Sequence, residues 1–202
     1  MRSVRLAVTV CLIGMGLAPG ATEAQESTTR GFALGAHLSG ASLTVEDGDR
    51  HGAGGAGLYF AYGFNRIIQL FLQIDAAQFD VDDGEVEGQW EMGHGDIGVR
   101  FHFANSLRSW VPYLQAALSG RAVGVDDAVV EGTPETDVSF YGGAFSLGGG
   151  IMFYFNETFA ADIQLIGSGG RFTEVQVDNV TIEGLEIDAT SGRLNLGILW
   201  WP

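Results

Sequence analysis

Three groups of residues have the types and spacing that chemistry asks for. His37-Leu38-Ser39 sets an imidazole and a hydroxyl two residues apart, on one face of an extended segment. A base beside a hydroxyl can activate a nucleophile, but acyl chemistry would also need an orienting acid and an oxyanion site. The run Asp80-Val81-Asp82-Asp83-Gly84-Glu85-Val86-Glu87 is dense enough in carboxylates to attract Ca²⁺ or Mg²⁺, with Asp80, Asp82, Asp83 and Glu85 as weak candidate ligands. Its glycine stands fifth from Asp80, where an EF-hand loop needs it sixth and needs a Glu at the twelfth place, so that motif fails. The third group, His94, Asp96, Arg100 and His102, shares one parity and therefore one strand face. Metal binding there would require ligands from neighbouring strands, and polar packing inside the protein is the expected role. No metal or cofactor is expected from any of the three, and no catalytic residue is assigned.

The elements that must position these groups are strands, because the chain alternates with period two. Over 67–79 one row is Ile68, Leu70, Leu72, Ile74 and Ala76, and the other holds Gln69, Gln73 and Asp75 beside Phe71. Over 90–103 the row Gly93, Gly95, Ile97, Val99, Phe101 and Phe103 opposes His94, Asp96, Gly98, Arg100 and His102. The final segment sets Leu194, Leu196, Ile198 and Trp200 against Arg193, Asn195 and Gly197. Eight such segments are expected, near 31–44, 53–64, 67–79, 90–103, 110–122, 139–155, 158–172 and 190–201. Each is long enough to cross a bilayer as a tilted strand, which takes about 9–11 residues. The uncharged stretch 138–156 is apolar enough to suggest a helix, but its five glycines, Gly148-Gly149-Gly150 among them, make a strand with small residues on one face the better reading.

Connections at 45–52, 80–89, 123–138 and 173–189 are expected to be long loops, and those near 65–66, 104–109 and 156–157 tight turns. Nineteen of the 25 acidic residues fall in or beside the four long connections, so one rim is expected to be strongly anionic. With ten arginines, no lysine and a formal net charge of −15, the chain lacks the cationic stripe that nucleic-acid binding requires. Residues 1–24 read as a secretory signal peptide, with Arg2 and Arg5 before an apolar stretch and the lone Cys11 inside it. Residues 25–30 form a short N-terminal segment and 31–202 the folded unit. Aromatic residues gather near the short turns, at Phe32, Tyr62, Phe64, Phe101, Phe103, Trp110, Tyr113, Phe153, Phe155, Phe159, Trp200 and Trp201. A sparser group at Phe79, Trp90, Phe140, Tyr141 and Phe172 lies toward the long connections, and the two are expected to form belts at the two bilayer interfaces.

This pattern resembles the small outer-membrane β-barrel family of the OmpA and OmpX type. The C-terminal Asn195-Leu196-Gly197-Ile198-Leu199-Trp200-Trp201-Pro202 is similar to the assembly signal of such barrels, carried here by Asn195, Gly197 and Trp200, although Pro202 stands where an aromatic residue is usual. The resemblance implies an all-β, eight-stranded, antiparallel up-and-down transmembrane β-barrel in the bacterial outer membrane. Its partners would be outer-membrane lipid, lipopolysaccharide and the barrel-assembly machinery. An H-x-S pair also occurs in outer-membrane lipid A deacylases, but His37 and Ser39 are expected to face inward, away from lipid. The interior is expected to hold Gln73, Asp75, His94, Asp96, Arg100, His102, Gln115, Arg121, Asp162, Gln164, Arg193 and Asn195, paired by charge and leaving no wide pore. A structural or surface-contact role follows. Two other readings make different demands: an exported lipocalin-like barrel needs the apolar rows inside, and a narrow solute channel needs an open lumen past Tyr59, Phe71 and Met152.

Overall fold

A computed structural model of the chain describes residues 29–45, 50–79, 87–103, 109–129, 136–177 and 180–202. The signal peptide and the carboxylate run Asp80 to Glu85 lie outside the described residues. Eight strands follow one another: β1 (Gly31–Val45), β2 (Arg50–Gly63), β3 (Ile68–Phe79), β4 (Glu87–His102), β5 (Trp110–Val129), β6 (Thr136–Tyr154), β7 (Phe159–Val177) and β8 (Val180–Trp200). Each pairs antiparallel with the next, and β8 returns to β1, closing the ring. Following the register from Phe32 through Tyr62, Leu70, Val99, Ala116, Leu147, Gly167 and Gly192 returns to β1 at Ser42, a stagger of ten residues. For eight strands that stagger corresponds to a tilt of about 40° and an interior that side chains fill.

The two parities separate cleanly. Leu38, Leu118 and Leu165 are 71%, 68% and 65% exposed on the outer wall, together with Leu58, Ile74, Ile97, Leu147, Leu196 and Ile198. The opposite rows are buried, and they include Arg100, Arg193, Gln69, Gln73 and Asp96. This is the inverse of a water-soluble carrier. In lipid all backbone groups must find partners within the protein, which a closed sheet provides.

Strands meet the short turns through asparagine. Asn65 Oδ1 accepts from the amides of Ile67 and Ile68 at 2.7 and 2.9 Å, and Asn156 Oδ1 accepts from those of Thr158 and Phe159 at 2.8 and 2.7 Å. These side chains stand in for the next strand's carbonyls, which lets the chain reverse within a few residues.

Two expectations fail. The segments 123–138 and 173–189, read above as loops, are largely strand: β5 continues to Val129, β6 begins at Thr136, and β7 and β8 pair as far as Val177 and Val180. Their acids sit beside β-branched residues, and ladder pairing outweighs the loop-like composition. The second aromatic belt is also absent among the described residues. Phe79 and Phe172 are buried, and Trp90 and Phe140 pack against the same interior cluster, leaving Tyr141 alone outside. In the first group Tyr113 and Trp201 likewise turn inward, at 2% and 4% exposure, because parity, not proximity to the turn, decides their face. The outward rings remain a belt: Phe32 meets Tyr62 edge-on at 4.9 Å, and Phe159 stacks on Trp200 at 6.3 Å.

Candidate functional site: the filled lumen

All twelve polar residues assigned above to the interior are buried in the ring. They form two ionic layers. In the layer nearer the short turns, Arg100 Nη1 donates to Asp162 Oδ2 at 3.4 Å and Nε to Gln115 Oε1 at 3.1 Å. The guanidinium carbon lies 3.8 Å from the centre of the Tyr113 ring and 4.4 Å from that of Tyr59, and Tyr113 OH donates to Asp162 Oδ1 at 2.8 Å. A planar cation between two aromatic faces is held by ring electrostatics as well as by its carboxylate.

In the upper layer Arg193 spans two acids, donating from Nη1 to Asp75 at 2.5 Å and from Nη2 to Asp96 at 2.6 Å. Asp75 also lies 2.5 Å from His37 Nε2 and accepts from Gln73 Nε2 at 2.9 Å. Asp96 accepts from Ser119 Oγ, and the hydroxyls continue around the wall from Ser119 to Ser146 at 2.5 Å and to Ser168 at 2.6 Å. Amide side chains extend the Arg100 layer: Ser39 donates to Asn195 at 2.7 Å, Asn195 to Gln164 and Gln164 to Gln115, each at 2.8 Å. One relay thus ties β1, β8, β7, β5 and β4 through their side chains.

Among the described residues the buried aspartates and arginines are Asp75, Asp96 and Asp162 against Arg100, Arg121 and Arg193, which balance in formal charge. Neutrality matters because an unpaired charge in such a site costs several kcal/mol. Arg121 stands apart, donating from both terminal nitrogens to the Ala189 carbonyl at 3.2 Å with its guanidinium 5.2 Å from the Phe172 ring. His94 lies 3.3 Å from Ser191 Oγ, and His102 meets Tyr113 edge-on at 5.9 Å. His94, Asp96, Arg100 and His102 therefore face one interior without converging: Arg100 and His102 both meet the Tyr113 ring, while His94 goes to Ser191 and Asp96 to Arg193, and among the described residues no group of three metal-ligating side chains gathers.

Glycines set the space for this network. A Cβ at Gly57 would collide with the His37 imidazole, and one at Gly150 with the Ile163 carbonyl and the Tyr113 ring. His37 and Ser39, the nucleophile-type pair, face this interior and are committed to Asp75 and Asn195 respectively.

Apolar clusters flank the network at both ends. Ala33, Val111, Met152, Ala160, Leu199 and Trp201 pack together near the short turns, where Trp201 N donates to Thr158 O at 2.8 Å and Thr29 Oγ1 to Arg66 O at 3.0 Å. Leu43, Phe79, Met92, Val123 and Phe172 pack together at the other end. A pocket of about 10 Å³ between His37, Tyr59, Gln73, Asp162 and Asn195, barely one water molecule in size, lies within the network.

Tyr59 was expected on an inward row but not against Arg100, and Tyr113, Ser119 and Ser168 were not expected in the network. Inward parity was the available signal for all of them, since Tyr113 shares a row with Gln115 and Arg121, and Ser119 with the same two.

Comparison with solved structures bears on this architecture. The chain has the fold of the small outer-membrane barrels. Neisserial surface protein A superposes with a TM-score of 0.63 at 14% identity, covering 84% of this chain and 96% of that one. Ail, the attachment invasion locus protein of Yersinia pestis, gives 0.54 at 11% identity, with 85% and 99% covered. OprG of Pseudomonas aeruginosa gives 0.51 at 12% identity, with 87% and 99% covered. No protein-family model matches the sequence, and no characterised protein matches it at a significant level. At such identities the shared property is the barrel itself.

Proposed function

We propose that this protein is an integral barrel of the bacterial outer membrane with a structural and surface-contact role and no catalytic turnover. It would present acidic connections outside the cell and keep a plugged interior. The observation that carries this reading is the sidedness of the wall: large apolar side chains outward, and a charge-neutral, hydrogen-bonded network inward, closed above and below by apolar clusters. Its outer face would contact lipid and lipopolysaccharide, and its C-terminal strand, with Trp200 outward, would be read by the assembly machinery.

Neisserial surface protein A and the attachment protein Ail, both of this fold, are named as surface or attachment proteins, which supports the surface-contact half of the proposal. The inward commitment of His37 and Ser39 supports the absence of turnover.

The test joins location and topology. Outer-membrane fractions should contain a protein whose detergent-extracted form migrates faster before boiling than after it, and protease added to whole cells should cut within 130–135 or 178–179 without degrading the barrel. Recovery in the soluble periplasm, or complete protection of those connections in intact cells, would overturn the reading.

A further inference from the structure

At the short-turn end of the barrel local geometry brings Arg30 and Arg66 together. The chain before β1 bends at Gly31, whose φ of +90° favours glycine. Thr29 is thereby laid across the foot of β2, where a Cβ at Gly63 would collide with the Thr29 carbonyl. The buried Thr29 Oγ1 donates to the carbonyl of Arg66 at 3.0 Å. Arg66 belongs to the β2–β3 turn that Asn65 holds, and Arg30 follows Thr29 directly, so both arginines stand at one corner of the ring, and both are exposed.

The wall beside that corner is aromatic. Phe32 and Phe64 meet the Tyr62 ring edge-on at 4.9 and 5.3 Å, and all three rings face outward. Toward the middle of the wall the same rows continue with Leu34 opposite Phe60 and Tyr62 opposite Leu70. A strip that is aliphatic at mid-wall, aromatic at the belt and cationic beyond it follows the order of parts in a lipid, from its tails to its head.

The charge around the corner sets the sign of that head. Residues 51–74, which run from β2 through this turn into β3, include no acid. Among the described residues the acid of the short turns is Glu157, in the β6–β7 connection on the far side of the ring. At the opposite end of the barrel the exposed Arg171 is held by Asp188 at 2.6 Å and by Glu186 at 3.8 Å. Paired guanidiniums suit phosphate oxygens, which they take in forked hydrogen bonds, and they repel a headgroup that carries its own ammonium.

We infer that Arg30 and Arg66 form a binding site for the headgroup phosphate of an anionic glycerophospholipid whose acyl chains lie along Phe32, Tyr62 and Phe64. This rests on the reading above that the wall meets lipid and the long connections face outward, which sets the short turns in the glycerophospholipid leaflet. Lipopolysaccharide also carries phosphate, but at the opposite face, where the acids of the barrel gather.

The test titrates the refolded mature protein in neutral detergent with phosphatidylglycerol or with phosphatidylcholine of the same chains, and reads bound lipid by native mass spectrometry. Phosphatidylglycerol should be retained in preference. Arg30→Gln and Arg66→Gln should each lower its occupancy about fivefold, and Arg171→Gln should leave it unchanged. The heat-dependent gel shift should persist in all three variants, because all three side chains are exposed. Equal retention of the two lipids, or an equal loss from Arg171→Gln, would overturn the inference. Displacement of the lipid by an equal concentration of inorganic phosphate would do the same, since the ligand would then be free phosphate. Preference for lipid A over phosphatidylglycerol at these two arginines would also overturn it. Should the lipid preference fail while the gel shift and outer-membrane location hold, the headgroup site falls and the reading of the wall stands. Recovery in the soluble periplasm removes both.

Discussion

Arg193 is the residue on which the upper lumen turns, because among the described residues it is the cation that reaches both Asp75 and Asp96. Arg193→Met would leave Asp96 without a counter-ion and Asp75 with only the His37 ring beside it, and breaking a buried pair from one side typically costs about 3–5 kcal/mol. The expected outcome is a marked fall in the urea midpoint at which the compact gel band is lost. Replacing Arg100 and Asp162 together by leucine removes both charges and should cost far less than either single change. Equal midpoints for Arg193→Met and the parent would show that the network does not hold the barrel. Glycine positions offer a contrast of a different kind. At Gly150 a methyl group would press on the Ile163 carbonyl and the Tyr113 ring, whereas at Gly95 or Gly120 it would meet open space on the outer wall. Gly150→Ala should therefore lose about 1–3 kcal/mol, while Gly120→Ala stays within about 0.5 kcal/mol of the parent, both read in the same unfolding series.

At the scale of the strand, the outer rows make a claim about depth. Leu196 is flanked across its two ladders by Leu38 and Ile163 and sits well away from the belt ring Trp200 and from the polar strand ends. Leu196→Arg should destabilise the refolded protein in bilayers by about 2–4 kcal/mol, as a cation near the membrane midplane does, whereas Gln78→Arg near the top of β3 should cost about 0–1 kcal/mol. Similar small losses at both positions would place the barrel in water. Alternation made these rows readable in advance, because β3, β4 and β8 switch chemistry at every residue. The strand ends were less legible. Around 173–189 acids occupy the outer face of a projecting hairpin, and acidic composition looks the same in a loop as on a solvated strand. Aromatic residues misled for a related reason: Tyr113 and Trp201 lie at belt height by position but face the lumen by parity, and there they hold Arg100 and seal the base. Which inward residues share a layer was beyond sequence, since that depends on the ten-residue stagger that brings Arg193 to Asp75 and Asp96, on strands far from it in the chain.

For the whole molecule the proposed role turns on closure along the axis. A solute entering from the long connections meets Met92, Phe79 and Phe172, then the Arg193 layer, then Arg100 clamped between Tyr59 and Tyr113, then Met152, Tyr154 and Trp201. Ion passage would have to break the Arg193 bridges and move Arg100 from its aromatic clamp at the same time. Loosening one layer leaves the other and both apolar seals in place. Purified protein in planar bilayers should accordingly show no steady conductance, and Arg193→Ala alone should not create one. Opening should require removal of bulk at both ends together with the ionic layer, for example Phe172→Ala and Met152→Ala combined with Arg193→Ala. Steady conductance from the unmodified barrel would mean that the seals part readily, and would convert this interior from a plug that fixes the wall into a path across it.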